Sequence, residues 1–327
     1  MSLIITVESL DWLEQYWQEH STELVWEPLF ILPPWLRVWH RHFAPTTTPA
    51  ILAAKRDGNV TGIAPLLIDG DSARIIGSPN VCDYEDLVIA EGEEAEFSST
   101  LMGCLKDRHI KLLDFGVVRP DSRIVSGLAP ALRAAGAAIT LEPDEVSLEK
   151  DLPGTWEDYL QSLDAKQRHE IKRKLRRLEE AGKTGYSIVT EPASVPDFMD
   201  MFVKMFVESR TDKAAFLTSQ MNGYFRDLAQ TMAEAGLLRS GVLDIDGRPV
   251  AAVMAFDYNG TVYLYNSGYD ADQAQLSVGV ISKVLLIKYS IERGRKKFDF
   301  LKGGERYKYH LGGTEVALQK CRITMNG

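Results

Sequence analysis

Phe298 to Gly313 reads FDFLKGGERYKYHLGG, and the organisation of the whole chain can be traced from this stretch. An apolar run carrying one acid, Asp299, ends in Gly303-Gly304, and Glu305, Arg306, Tyr307, Lys308, Tyr309 and His310 come next without a break. The run reads as the last strand of the chain and the glycines as its turn. In the plainest interpretation, residues 305–310 are a solvated loop after an edge strand. A site that moves an acyl group onto an amine, however, uses most of these groups: a proton acceptor, a proton donor and a cation for a developing oxyanion.

The same strand has a counterpart in the first half. Ile110 to Phe115 is an apolar run with Asp114 inside it, preceded by a helical stretch from Ala95 to Arg108. Before Asp299 stands the helix Val280 to Arg293, with Val280, Val284, Ile287 and Ile291 on one face. Each helix comes after a hairpin meander. In the first half, Ile51–Lys55, Val60–Ile68 and Ala73–Gly77 are separated by Asp57-Gly58 and Asp69-Gly70; in the second, Ser240–Ile245, Pro249–Asp257 and Thr261–Gly268 are separated by Asp246-Gly247 and Asn259-Gly260. Asp-Gly and Asn-Gly between apolar runs mark tight hairpins, because both turn positions favour positive φ. Helices precede both meanders, Leu10–Glu19 and Pro34–His42 in one half, Val195–Arg210 and Gln220–Ala235 in the other. The order helices, meander, helix, strand is thus used twice. This predicts an α+β chain of two tandem domains, residues 1–150 and 151–327, each a mixed, mostly antiparallel sheet flanked by helices.

Between the halves lies a basic segment, RHEIKRKLRRLEEAG from Arg168 to Gly182. Ile171, Leu175 and Leu178 keep an apolar stripe, so the cations from Lys166 to Arg177 are expected on the exposed face of a helix. A solvated helix paired with acids elsewhere explains them; so does capture of a polyanion such as a nucleotide, a phosphorylated lipid carrier or transfer RNA.

The formal net charge is -9, which argues against stable DNA binding, since phosphate attraction dominates non-specific affinity. Cys82, Cys104 and Cys321 are far apart, and neither CxxC nor HExxH occurs, so neither a disulfide framework nor a metal site is expected. The first residues lack a basic leader and no apolar run is long enough to span a bilayer, so a soluble cytoplasmic protein is expected. Gly182-Lys183-Thr184 looks like the end of a phosphate loop, but the glycine required earlier is Arg177. GxSxG and GxGxxG are absent, and Trp12, Trp17, Trp35 and Trp39 read as packing residues.

YLYNSGYD (Tyr263 to Asp270), the helix opened by Ser277-Val278-Gly279 and FDFLKGGERYKYHLGG together resemble GNAT-type acyltransferases of the CelD-like branch, named for cellulose and exopolysaccharide biosynthesis. Tyr307, Lys308, Leu311, Gly312 and Gly313 are also similar to the pattern closing the second domain of Fem-type peptidyltransferases. Both groups are built from two GNAT-like domains, and the basic segment resembles their opening helix. The likeness covers nearly the whole chain, with the first domain as the degenerate copy.

The resemblance implies an N-acyltransferase that uses acyl-CoA, acetyl or longer, and an amine of a sugar, amino acid or envelope precursor. It implies a pantetheine arm along Tyr265, Asn266, Ser267 and Gly268, and a pyrophosphate over Ser277, Val278 and Gly279, where free amides favour an anion. The usual glycine-rich loop is not reproduced after Gln275, which leaves aminoacyl-transfer RNA open as the donor, as in Fem-type enzymes. Lys308 is the residue expected to hold developing charge or a pyrophosphate, Asp299 or Glu305 to accept a proton, and Tyr307 or Tyr309 to protonate the leaving thiolate. Asp299 is equally readable as structural, given Asp114. Asp83, Tyr84, Asp86, Arg173 and Arg306 are the expected acceptor contacts. A non-catalytic protein that binds an envelope-synthesis partner is the remaining alternative.

Overall fold

The computed structural model describes residues 2–78, 80–134, 136–209 and 211–325. The chain forms two compact units, one from the residues up to Glu145 together with those from Val316 onward, the other from Val146 to Glu315. The end of the helix expected to reach Arg210 lies outside the described residues.

The first unit contains β1 (Ile4–Glu8), α1 (Leu10–His20), α2 (Pro33–Phe43), β2 (Pro49–Arg56), β3 (Asn59–Asp69), β4 (Ser72–Ile75), β5 (Val88–Ile89), α3 (Glu94–Asp107), β6 (Leu112–Val118), α4 (Ala129–Ala134) and the start of β7 (Ala138–Asp151). Ser9 caps α1 by accepting the Trp12 amide at 3.1 Å, satisfying a donor the first turn cannot. Asp57 and Gly58 both hold positive φ, as the hairpin between β2 and β3 requires. Strands run in the order β1-β2-β3-β4-β6, and the end of β13 (Thr314–Thr324) lies between β6 and β7. Leu52, Ala64, Leu66, Phe97, Leu101, Leu113 and Phe115 make the core between this sheet and α3.

The second unit takes the rest of β7, then α5 (Trp156–Ser162), α6 (Ala165–Ala181), β8 (Thr184–Val189), α7 (Val195–Ser209), α8 (Thr211–Phe216), α9 (Ser219–Glu234), β9 (Ser240–Ile245), β10 (Arg248–Tyr258), β11 (Thr261–Tyr269), α10 (Val278–Glu292), β12 (Lys297–Lys302) and α11 (Arg306–His310). Its strand order is β7-β12-β11-β10-β9-β8. Asp164 and Thr218 cap α6 and α9 through the amides of Gln167 and Met221. Ile171 and Leu178 are buried on α6 while Lys172, Arg176 and Arg177 are exposed, the distribution the apolar stripe requires.

Each unit thus repeats an antiparallel meander followed by a parallel partner. β4 meets β6 only from Ser72/Leu112 to Arg74/Asp114, and β11 meets β12 only from Thr261/Lys297 to Tyr263/Asp299. The parallel pairing therefore stops, in both units, at the strand aspartate.

The structure corrects several sequence expectations. β12 is neither the last strand nor an edge strand, because β7 and β11 flank it and β13 comes after it. Residues 306–310 form one helical turn rather than a loop. β1, β5, β7, β8 and β13 had no counterpart in the sequence reading.

Candidate active site

β11 stays paired with β10 up to Tyr269 but leaves β12 after Tyr263, so the two parallel strands diverge. A register shift opposite Met254/Ala255 leaves Tyr265 as an extra residue on β11, and such a bulge bends its strand. Tyr265, Asn266, Ser267 and Gly268 all lie beyond the point of divergence. Gly268 is required by packing: a Cβ there would overlap the backbone of Met205 and Phe206, so glycine lets α7 lie directly on β11.

α10 begins beside the far end of β11. Ser277 opens it at φ 58° without a side-chain cap, and a Cβ on Gly279 would stand 2.8 Å from the Tyr269 ring. Lys283 is carried one turn further on α10. It is 6% exposed, donates to the Gly279 carbonyl at 2.6 Å and lies 5.0 Å from the centre of the Tyr307 ring. Burial pushes its amine down to about 7; Lys213 and Lys308 add to the depression and Glu305 opposes it. Lys213 of α8 donates to the Ser267 carbonyl, so it ties the end of β11 to this cluster.

On the other side of the divergence, Asp299 is 2% exposed and accepts from the Leu301 amide at 2.8 Å and the Ser147 hydroxyl at 3.3 Å. Leu301 sits at φ 63°, and the register with β7 shifts between Asp299 and Leu301. Lys308 closes the same turn. Its Nζ donates to the carbonyls of Leu301 at 2.9 Å, Lys302 at 2.6 Å and Gly303 at 3.0 Å, and lies 2.9 Å from Glu305 Oε2. An ammonium has three N–H groups, and three carbonyls meet them. Lys308 therefore fixes the backbone after β12 from a buried position.

Glu305 keeps a half-exposed carboxylate beside Lys308. Burial raises the Tyr307 phenol strongly, with Glu305 adding to the shift. Tyr309 is exposed, donates to Glu315, and is raised chiefly by that hydrogen bond. Arg306 donates to His310 Nε2 at 3.2 Å, and His310 is lowered by burial first, then by Arg306 and by Lys174 of α6. The basic helix thus bears electrostatically on α11.

The remaining predicted residues belong to the first unit or already have partners. Arg173 forms a two-pronged pair with Glu170 on its own helix, at 3.1 and 2.8 Å. In the first unit, Asp86 accepts amides from Leu87, Arg123 and Ile124, and so caps the helical turn that begins at Ile124. Tyr84 is buried edge-on against Phe30, with Arg119 over its ring. Asp83 is half-buried. Sequence reasoning missed Lys283 and Lys213. The first had a signal: it is the lone cation in VGVISKVLLI, and a charge inside an apolar helix needs a reason.

Among the described residues, no group of three or more His, Cys, Asp or Glu is placed to hold a metal ion, and no helix is long and apolar enough to cross a membrane. The family profile described as "Acetyltransferase (GNAT) domain" matches residues 165–309. No curated protein sequence matches the chain. Solved structures resemble it at low identity and speak to the fold alone. The crystal structure of FemX aligns with a TM-score of 0.66 at 12% identity, over 97% of this chain and 96% of that one. A conserved protein of unknown function from Bacteroides thetaiotaomicron aligns with a TM-score of 0.65 at 12% identity, over 98% of this chain and 100% of that one. A tandem GNAT protein from the clavulanic acid biosynthesis pathway aligns with a TM-score of 0.50 at 12% identity, over 99% and 98%. Residues 165–309, from the basic helix to the turn after β12, are an acetyltransferase domain of the GNAT type, and the chain that carries them is an acyltransferase.

Proposed function

We propose that the chain is a cytoplasmic N-acyltransferase that moves an acyl group from acyl-CoA to a primary amine on a sugar, amino acid or envelope precursor, as in the CelD-like branch, with residues 1–150 as a degenerate GNAT-like domain and 151–327 as the working one. The observation that carries this reading is the divergence of β11 from β12 after Tyr263, with the α10 terminus and the Lys283–Lys213–Glu305 cluster beside it. The donor's pantetheine arm would run along Tyr265 to Gly268, and its pyrophosphate would rest on the α10 amides at Ser277, Val278 and Gly279, with Lys213 near.

In this reading the amine attacks the thioester carbonyl, the new C–N bond forms, and the C–S bond breaks as the tetrahedral intermediate collapses. Glu305, held by Lys308, takes the proton the amine loses. The leaving thiolate needs a proton from an acid of similar strength. Lys283 is depressed to about 7, whereas the Tyr307 phenol is raised, so we assign this proton to Lys283 rather than to Tyr307 or Tyr309. Lys308 holds the backbone that places Glu305, and Asp299 holds the same turn from its other end.

Isothermal titration with acetyl-CoA and a long-chain acyl-CoA tests the donor, and saturable binding is expected. Absence of binding to both would overturn the reading. A second reading, aminoacyl-transfer RNA as donor, is favoured by the exposed cations Lys166, Lys172, Arg176 and Arg177 on α6. It requires that charged transfer RNA bind in place of acyl-CoA, that affinity fall steeply with salt, and that the Lys172→Glu/Arg173→Glu/Arg176→Glu variant lose it. If neither donor binds and the chain still supports its cell, a partner-binding role replaces both.

A further inference from the structure

The first unit has its own divergence, and a different chemistry lines it. Beyond Arg74/Asp114 the strands β4 and β6 separate around a cavity of about 510 Å³. Glu85 forms part of its wall. The residue is 6% exposed, yet its carboxyl accepts no hydrogen bond from the described residues. Space for that carboxyl is provided by two glycines: a Cβ on Gly77 would overlap Oε1, and a Cβ on Gly116 would stand 2.8 Å from Oε2. A buried, unpartnered carboxyl in an open cavity calls for a ligand that can donate to it.

Cations stand at the same cavity. Arg322 on β13 pairs with Asp114 at 2.9 Å while half of its side chain stays exposed, and Lys320, on the same strand, pairs with Asp144 at 3.2 Å with a comparable exposure. Arg74 lies over the Trp39 ring at 5.4 Å, and Trp39 supplies an apolar wall. The charged and titratable groups around Glu85 are therefore Asp114 on β6, Arg74 on β4, Lys320 and Arg322 on β13, and Cys82 in its own loop. A plain amine would meet the carboxyl but also the cations, and a plain anion would meet the reverse mismatch.

We propose that this cavity is a binding site for a small molecule carrying both a primary amine and an acidic group, the ammonium seated on Glu85 and the acid held by Arg74, Lys320 and Arg322. Amino acids and phosphorylated amino sugars share this chemistry. The claim concerns the first unit alone and stands independently of acyl transfer by the second.

The test is titration of the full chain, without any acyl donor, with L-alanine and with glucosamine 6-phosphate. Putrescine serves as amine without acid, and N-acetylglucosamine 6-phosphate as acid without amine. Saturable binding is expected for at least one of the first two probes, about tenfold tighter than for either control, and weakened about tenfold by Glu85→Gln and by Arg322→Gln. Which of the two binds separates an amino-acid site from an amino-sugar phosphate site. Thermal melts of both variants check folding; should Glu85→Gln fail to fold, Arg322→Gln and the two controls decide. The proposal is overturned if neither amine-bearing acid saturates at millimolar concentration, if the acetylated sugar phosphate binds as tightly as the free amine, or if the folded variants bind like the wild type. Because no acyl-CoA is present, a failure here leaves the donor site untouched, and a failure of donor binding leaves this result intact.

Discussion

Asp299 accepts the backbone amide of Leu301 at 2.8 Å, and the residue it holds there sits at φ 63°. The first unit repeats the device with Asp114 and the amide of Gly116, at 2.8 Å and φ 66°. In both units the aspartate marks the point where the parallel pair separates. It does so by pinning a left-handed residue two positions on, which turns the strand out of register. Asp299→Ala should destabilise the second unit by about 2 kcal/mol, the cost of an unmet buried donor, while Asp299→Asn, which keeps an acceptor, should lose less. Urea denaturation of the two variants checks this. If Asp299→Asn is as stable as wild type yet inactive, Asp299 has a chemical role beyond this turn.

Lys308→Met removes the donor that three carbonyls share. We expect a loss of about 3 kcal/mol in stability, together with a fall in turnover, because Glu305 loses its anchor. Turnover measured where the variant is fully folded separates placement from chemistry: a positioning lysine lowers kcat with little change in the acyl-CoA KM.

Lys283 gives the second unit a pH signature. Its folded value of about 7 lies below the ordinary 10.5, so between those limits the unfolded chain binds a proton that the folded chain does not. Stability from this group therefore rises with pH from about 7 toward 10.5 and is flat below 7. Melting midpoints of wild type and Lys283→Met over that range should converge as pH rises. Parallel curves would show that the amine is not depressed. With Lys283 as the acid for the thiolate, kcat should also fall above pH 7, and Lys283→Met should lose that limb.

Glu85 gives the first unit the opposite slope. Burial, with Asp114 adding to it and Arg74 opposing, pushes its carboxyl up to about 8 from 4.5. Without a ligand the folded chain therefore holds a proton that the unfolded chain releases, and its stability falls as pH rises from 4.5 to 8; an ammonium seated on the carboxyl displaces that proton. Glu85→Gln should flatten this part of the profile in differential scanning calorimetry; an unchanged slope would refute the shift.

Gly268→Ala and Gly279→Ala should differ. The added methyl at 268 meets the α7 backbone, which cannot step aside, whereas at 279 it meets the Tyr269 ring, which can rotate. We expect about 3 kcal/mol for the first and under about 1 kcal/mol for the second, with acyl-CoA binding lost only in the first.

The hairpins were legible because Asp-Gly and Asn-Gly carry their own backbone requirement: Asp57, Asp246 and Asn259 all hold positive φ. α6 and α10 were legible from their apolar spacing. β7 was not, since Ala138–Asp151 carries five acids and Pro143 and buries little of itself. β13 alternates until a register shift between Lys320 and Arg322 changes the buried parity from Leu318 to Cys321 and Ile323, which hides the strand from a period-two reading. At the site, Lys308 and Glu305 were visible as types but not as partners of a backbone turn. Lys213 could not be found from its short polar helix, whose place depends on how closely Gly268 lets α7 approach. In CDYEDL nothing local tells that Glu85 enters the cavity while Asp86 caps a turn, and the two glycines that admit Glu85, Gly77 and Gly116, stand on either side of it in sequence.

β13 also sets the order in which the two units can be completed during synthesis. The second unit is a continuous stretch of chain, but the first lacks the strand that pairs with β6 until residues beyond Val316 have been made. On the ribosome, the downstream unit can therefore close while the upstream one still presents an open strand edge, a template for unwanted pairing. Order of synthesis and order of completion are reversed, and any nascent chain stalled before Val316 holds its earliest residues in their least finished form.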